Sequence, residues 1–198
     1  MSAHAEAAAV VPYESTGVPD GKLAIWLFLA SEVMLFGTLF TTYIVIRTAS
    51  SAWPVGWEIL NVPLATLNTF ILIASSVTIV MAHAKAAGRD KAGFYKFMAL
   101  TVLLSFGFLI VKAFEYGHKF HDGHFPSTNI FYGIYFTTTG LHGLHIIGGI
   151  IWNTGLMWWA SKDGWDDRLF LGRVEYAGLY WHFVDIVCIF LFPALYLL

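Results

Sequence analysis

The chain has 198 residues, 58% of them hydrophobic and only 12% charged, with a formal net charge of −2 and a mean hydropathy of +0.67. A soluble domain carries roughly 25% charged residues, so the composition excludes an ordinary soluble domain, and the near-neutral balance gives no basis for a nucleic-acid partner. The single cysteine, Cys188, excludes an intrachain disulfide and reads as a small buried hydrophobe.

The first 21 residues, MSAHAEAAAVVPYESTGVPDG, form a polar tail. They lack the basic region, apolar core and cleavage site of a secretory signal. From Lys22 onward the chain reads as one all-α, polytopic membrane domain, residues 22–198, built from five transmembrane helices. A helix needs about 20 apolar residues to cross the hydrocarbon core. Leu23 to Ile46 supplies such a run with one charge, Glu32, and Val62 to Ala82 supplies one with none. Phe94 to Tyr116 is the third, with Lys96, Lys112 and Glu115 inside it. Ile130 to Ala160 is longer and free of Asp, Glu, Lys and Arg. Tyr176 to Leu198 is the fifth, interrupted by Gly178, His182, Asp185 and Pro193. His118, His121 and His124 fall in the connection after the third span.

Basic residues set the orientation. Eight of them (Lys22, Lys85, Arg89, Lys91, Lys96, Lys162, Arg168 and Arg173) lie on one side, against Arg47, Lys112 and Lys119 on the other. The N-terminus is therefore expected in the cytoplasm and the C-terminus outside. Trp53, Trp57, Trp158, Trp159 and Trp165 fall near span ends, where indole rings favour the interface.

The polar residues inside the spans are aligned. At 100° per residue, Glu175, Gly178, His182 and Asp185 lie within about 80° of one another on the last helix. The fourth helix gathers Thr138, His142, His145, Gly149 and Asn153 on one face. The third aligns Ser105, Lys112 and Glu115, and the second Asn68, Ser75 and Thr78. Stripes of this kind belong to helices that pack together, and hydrogen-bonded packing is the plain reading of these residues. A charge mid-membrane costs roughly 2.5–3.5 kcal/mol on insertion scales, so Glu32 and Asp185 must be paired, hydrated or protonated.

The histidines suggest two sharper readings. Two imidazoles spaced i, i+3 on one helix point to one side and cannot supply opposite axial ligands to one haem. A pairing across helices, such as His142 with His182, could, which leaves a small bis-histidine membrane cytochrome as an alternative. A zinc site among His118, His121 and His124 has no cysteine to support it. A transporter using Glu32 and Asp185 would need the paired broken helices or repeat that the chain lacks.

Five stretches together carry a resemblance: FLASEVMLFG around Glu32, PLATLNTFILIASS, FEYGH around Glu115, TTTGLHGLHIIGG around His142 and His145, and EYAGLYWHFVDIVCIFLF at the end. In order and wording they resemble subunit III of the haem–copper respiratory oxidases, in its five-helix form. The resemblance implies a non-catalytic subunit of a proton-pumping cytochrome c oxidase, an oxidoreductase and translocase of aerobic electron transport. It implies no metal and no redox centre on this chain, with haem and copper in partner subunits I and II. It also implies contact with small subunits, bound phospholipid and location in the bacterial cytoplasmic membrane. Glu32, Glu115 and Asp185 become the proton-related buried acids, and His142, His145, Glu175 and His182 belong to the polar interior. Glu32 matches the family's buried glutamate. A neutral carboxyl among apolar side chains would react there with a hydrophobic carbodiimide. Many members carry two helices ahead of these five, across a lipid-filled cleft, so here another subunit would have to supply that wall. A quinol oxidase subunit III is the sibling alternative.

Overall fold

A computed structural model describes residues 20–197 except 52, 55, 163 and 168, and leaves out the side chains of Trp57 and Glu58. Most of the expected N-terminal tail, Arg168 and the Trp57 side chain thus lie outside the described residues. Among those described there are five long helices: α1 (Asp20–Ala49), α3 (Val62–Ala87), α4 (Lys91–His121), α5 (Ile130–Ser161) and α6 (Phe170–Phe192). A single turn, α2 (Gly56–Ile59), precedes α3. At 1.5 Å rise per residue, a 30-residue helix reaches about 45 Å, longer than the roughly 30 Å hydrocarbon core.

Four of the five are long and apolar enough to cross a membrane: α1, α3, α4 and the α6 segment through Leu197. The chain is therefore a multi-pass membrane protein. Helix α5 has the length, at 32 residues, but its Thr137–Thr138–Thr139 run, six glycines, two histidines and Asn153 dilute its apolar character.

Helix boundaries run past the apolar limits expected above. Helix α4 continues to His121, so His118 and His121 belong to a helix and not to the loop expected for them. Helix α6 starts at Phe170, six residues before the expected Tyr176. Arg173 and Glu175 interrupt hydropathy without interrupting helical hydrogen bonding, because long charged side chains at a span end can reach out to the interface. At the other end the expected helix to Leu198 gives way after Phe192 to a π turn over Pro193–Leu197. Pro193 has no N–H to donate to Ile189, so the α ladder cannot continue unchanged. That turn carries Tyr196 into the interior, where it is 3% exposed.

Helices α3, α4 and α5 are successive neighbours. Helix α6 packs against α3 and α5, and α1 rests on α6 and α5. Trp181 of α6 holds the centre. It is fully buried, its indole N–H donates to Ser75 Oγ of α3 at 3.0 Å, and its ring lies on Gly149 of α5, where any Cβ would overlap it. A small residue here permits close helix approach.

The α3–α4 connection is a tight turn, with Arg89 in the left-handed region at φ 56°. Asp90 caps α4, its Oδ1 accepting from the Gly93 N–H at 2.9 Å while its Oδ2 meets Lys85 Nζ at 3.0 Å. The Gly93 N–H first, and Lys85 second, hold this carboxyl below the ordinary carboxylate range. A lowered carboxylate value stabilises the fold above the unfolded value of about 4, and that contribution is lost as pH falls through the lowered value. We expect Asp90→Ala to lower thermal stability at neutral pH and to flatten its dependence on acid. Asp90→Asn, which still accepts from Gly93, should keep more of the stability. A thermal series from neutral to acid pH on the three proteins checks this.

Candidate functional site

The polar residues of the bundle form three groups. In the first, Glu32 of α1 meets His145 of α5, with Oε2 to Nε2 at 2.8 Å, and both side chains are 13% exposed. His145 Nδ1 sits 2.8 Å from the carbonyl of Leu141. A carbonyl only accepts, so Nδ1 carries a hydrogen. The Nε2–Oε2 contact then needs one proton between its two atoms, on the carboxyl or on the imidazole. Glu32 is therefore paired, one of the three states expected for it, and His145 stands among the apolar side chains around its carboxyl. The Phe36 ring stands edge-on to His145 at 5.3 Å, and Tyr180 donates to the His145 carbonyl at 2.8 Å.

The second group joins α4, α5 and the C-terminal π turn. Lys112 Nζ donates to Glu115 Oε2 at 3.0 Å, across the i, i+3 spacing that aligns them in the sequence. The other carboxyl oxygen, Oε1, accepts from Tyr135 Oη at 2.8 Å and from Tyr196 Oη at 2.6 Å. Lys112 also bonds the Tyr196 hydroxyl. The Lys112 and Glu115 side chains are 13% and 4% exposed. Partners on three elements thus satisfy a buried ion pair, the condition under which such pairs are tolerated. The two tyrosines carry no sequence signal that links them to Glu115, since Tyr196 lies 81 residues away.

The third group lies between α3 and α6. His182 Nδ1 meets Ser76 Oγ at 2.7 Å. Asp185, one turn on, is 4% exposed, and neither carboxyl oxygen has a hydrogen-bond partner. A cavity of about 140 Å³ beside His182 is lined by Glu175, Gly178 and His83 among others. Glu175 itself reaches Lys22 of α1 at 2.8 Å, both side chains 40% exposed. The polar stripe of α6 thus serves two helices and not one. His83 was missed by sequence reasoning, because it stands alone on an apolar helix.

His142 belongs to none of the three. It is 3% exposed, its ring stands edge-on to Phe108 at 5.9 Å, and both ring nitrogens lack a partner. His142 and His182 thus have different neighbours, Phe108 and Ser76. Among the described residues no group of three or more His, Cys, Asp or Glu side chains converges as metal ligands.

Chemically, the arrangement holds protons and charges inside a helix bundle. Glu32 and His145 share a proton between α1 and α5, where both side chains are largely buried, and Lys112 and Glu115 neutralise each other between α4, α5 and the C-terminal turn.

Residues 6–198 match the family Cytochrome c oxidase subunit III. The chain is 34% identical to the cytochrome c oxidase subunit 3 of Bacillus sp. (strain PS3), over 93% of this chain and 90% of that one. It is 32% identical to the quinol oxidase subunit 3 of Bacillus subtilis (strain 168), over 98% and 95%. A third relative, the cytochrome c oxidase subunit 3 of Synechocystis sp. (strain PCC 6803), is 36% identical over 92% and 78%. Relatives of both oxidase types thus align along nearly the whole chain, and the chain belongs to the cytochrome c oxidase subunit III family of the haem–copper oxidases.

Proposed function

We propose that this chain is the accessory subunit III of a proton-pumping cytochrome c oxidase in a bacterial cytoplasmic membrane, non-catalytic and without a redox centre of its own. Residues 22–198 form one domain that crosses the membrane five times, with the N-terminus in the cytoplasm. The domain flanks subunit I, in a complex with subunit II and smaller subunits whose haem and copper perform the chemistry. Its own residues hold lipid and support proton uptake, with Glu32, Glu115 and Asp185 as the buried acids involved. The observation that carries this reading is the family match over residues 6–198, joined to a bundle in which Glu32, Glu115, Asp185, His142 and His145 are largely buried. Clustering of Lys22, Lys85, Arg89, Lys91 and Arg173 at one end supports the orientation.

Removing the chain from the purified complex should leave the haem content intact while activity decays faster during turnover. Rapid loss of haem on removal would contradict an accessory role.

A hydrophobic carbodiimide should label Glu32, whose contact with His145 admits a neutral carboxyl, and spare Glu115, whose carboxylate is held by three donors. Peptide mapping after labelling checks this, with Glu32→Gln as the unlabelled control. Labelling of Glu115 with Glu32 untouched would reverse the assignment of the two environments.

The quinol oxidase is a second reading, favoured by one observation: the Bacillus subtilis quinol oxidase subunit aligns over 98% of this chain, at an identity within two points of the PS3 cytochrome c oxidase subunit.

A further inference from the structure

A small cavity lies between α3, α4, α5, α6 and the C-terminal turn. Its volume is about 30 Å³, and Ala65, Thr69, Lys112, Thr139, His142 and Tyr196 are among its lining residues. His142 is the unusual member, because it is 3% exposed and neither ring nitrogen has a partner. A neutral imidazole has one N–H donor and one acceptor nitrogen, and leaving either unmade in a buried site costs free energy.

From this cavity and the unpartnered imidazole on its wall, we propose that the cavity is a binding site for one or two structural water molecules, hydrogen-bonded to His142. A water needs roughly 10–15 Å³ of space for its centre, so the volume fits. The neighbours supply the remaining partners. Thr69 Oγ1 donates to the Ala65 carbonyl at 2.9 Å and Thr139 Oγ1 to the Tyr135 carbonyl at 2.6 Å. Thr69 Oγ1 keeps acceptor capacity for a water hydrogen, and Thr139 Oγ1 keeps one lone pair beyond its contact with the Tyr116 hydroxyl.

Other occupants fit the charges less well. A cation would face the Lys112 ammonium across the cavity. An anion would add a negative charge beside Glu115, whose carboxylate Lys112 already neutralises. Water adds no charge and supplies both the acceptor and the donor that the imidazole lacks. The bound water then joins His142 to the Thr69 and Thr139 hydroxyls on the cavity wall, so the imidazole is no longer an orphan in the core.

The experiment is a cryo-electron-microscopy map of the intact oxidase complex containing this chain, at a resolution that resolves ordered water. The expected result is one or two discrete peaks within hydrogen-bond distance of a His142 ring nitrogen and of the Thr69 or Thr139 hydroxyl. An empty cavity, an ion in it, or a His142 ring bonded to a protein group would overturn the proposal. A second measurement uses Ala65→Val, which adds bulk to the cavity wall. With water bound, A65V displaces it and strands His142, so the chain should leave the complex at a lower temperature. That decrease should vanish in an H142L background. A rise with A65V, or an equal fall in both backgrounds, would mean that the cavity is dry. If H142L does not assemble, the map of the unsubstituted complex decides.

Discussion

Replacing Glu115 with glutamine is expected to strip most of this chain from the purified complex. Glutamine preserves shape and an acceptor for Tyr135 and Tyr196, but it leaves the Lys112 ammonium without its counter-charge in a site where both side chains are almost fully enclosed. Breaking one side of a buried ion pair costs about 3–5 kcal/mol, a large part of the 5–15 kcal/mol that typically separates folded from unfolded states. Lys112→Met should also destabilise, by stranding the carboxylate. The double variant K112M/E115Q removes both charges together and keeps an acceptor for the tyrosines, so it should retain more of the chain than E115Q. Replacing whole buried pairs by uncharged groups is often close to neutral. Quantifying the chain against the haem-bearing subunit in each preparation checks the ordering. If the double variant loses as much as E115Q, the Lys112–Glu115 contact is not what holds this end of the bundle.

Trp181→Ala is the second large expected effect. The indole is fully buried and meets Ser75 on α3 and Gly149 on α5, so its removal opens a cavity where three helices meet. Aromatic-to-alanine changes in packed interiors cost about 3–5 kcal/mol. In lipid the penalty comes chiefly from lost packing, because the tails outside are as apolar as the core. The contact with Gly149 supplies an internal control. Gly149→Ala alone should destabilise, since the new Cβ overlaps the ring. In the W181A background the same change should cost much less, because only the Tyr180 ring edge, 3.3 Å from the new Cβ, then stands close. That difference is the coupling expected of residues in direct contact, and the temperature at which the chain leaves the complex reads it out. Equal effects of G149A in both backgrounds would show that Trp181 does not rest on Gly149.

Much of this arrangement was legible before the structure, and the limits have physical causes. Hydropathy located the long helices because the cost of exposing the backbone to lipid imposes long apolar runs. It misplaced their ends, as at Phe170 and His121, because helical hydrogen bonding continues past the hydrocarbon edge. Periodicity placed Ser105, Lys112 and Glu115 on one face, and all three face inward. Period alone says which face a residue takes but not whom it meets. Glu32 and His145 are 113 residues apart, and nothing local pairs them. Tyr196 was invisible as a partner for a different reason, since Pro193 forces the π turn that swings it inward. Asp185, expected to be paired, hydrated or protonated, has no hydrogen-bond partner among the described residues, so pairing by another side chain of this chain is not what the spacing encoded.

As proposed above, this chain works as an accessory subunit beside haem- and copper-bearing subunits of a cytochrome c oxidase. The most direct test is mild-detergent purification through a tag on this chain, followed by a reduced-minus-oxidised spectrum and identification of the co-purifying subunits. The predicted result is haem a together with a subunit I and a copper-bearing subunit II. A haem–copper subunit I without a copper-bearing subunit II would assign the chain to a quinol oxidase. A haem spectrum from this chain purified alone would contradict the accessory reading altogether.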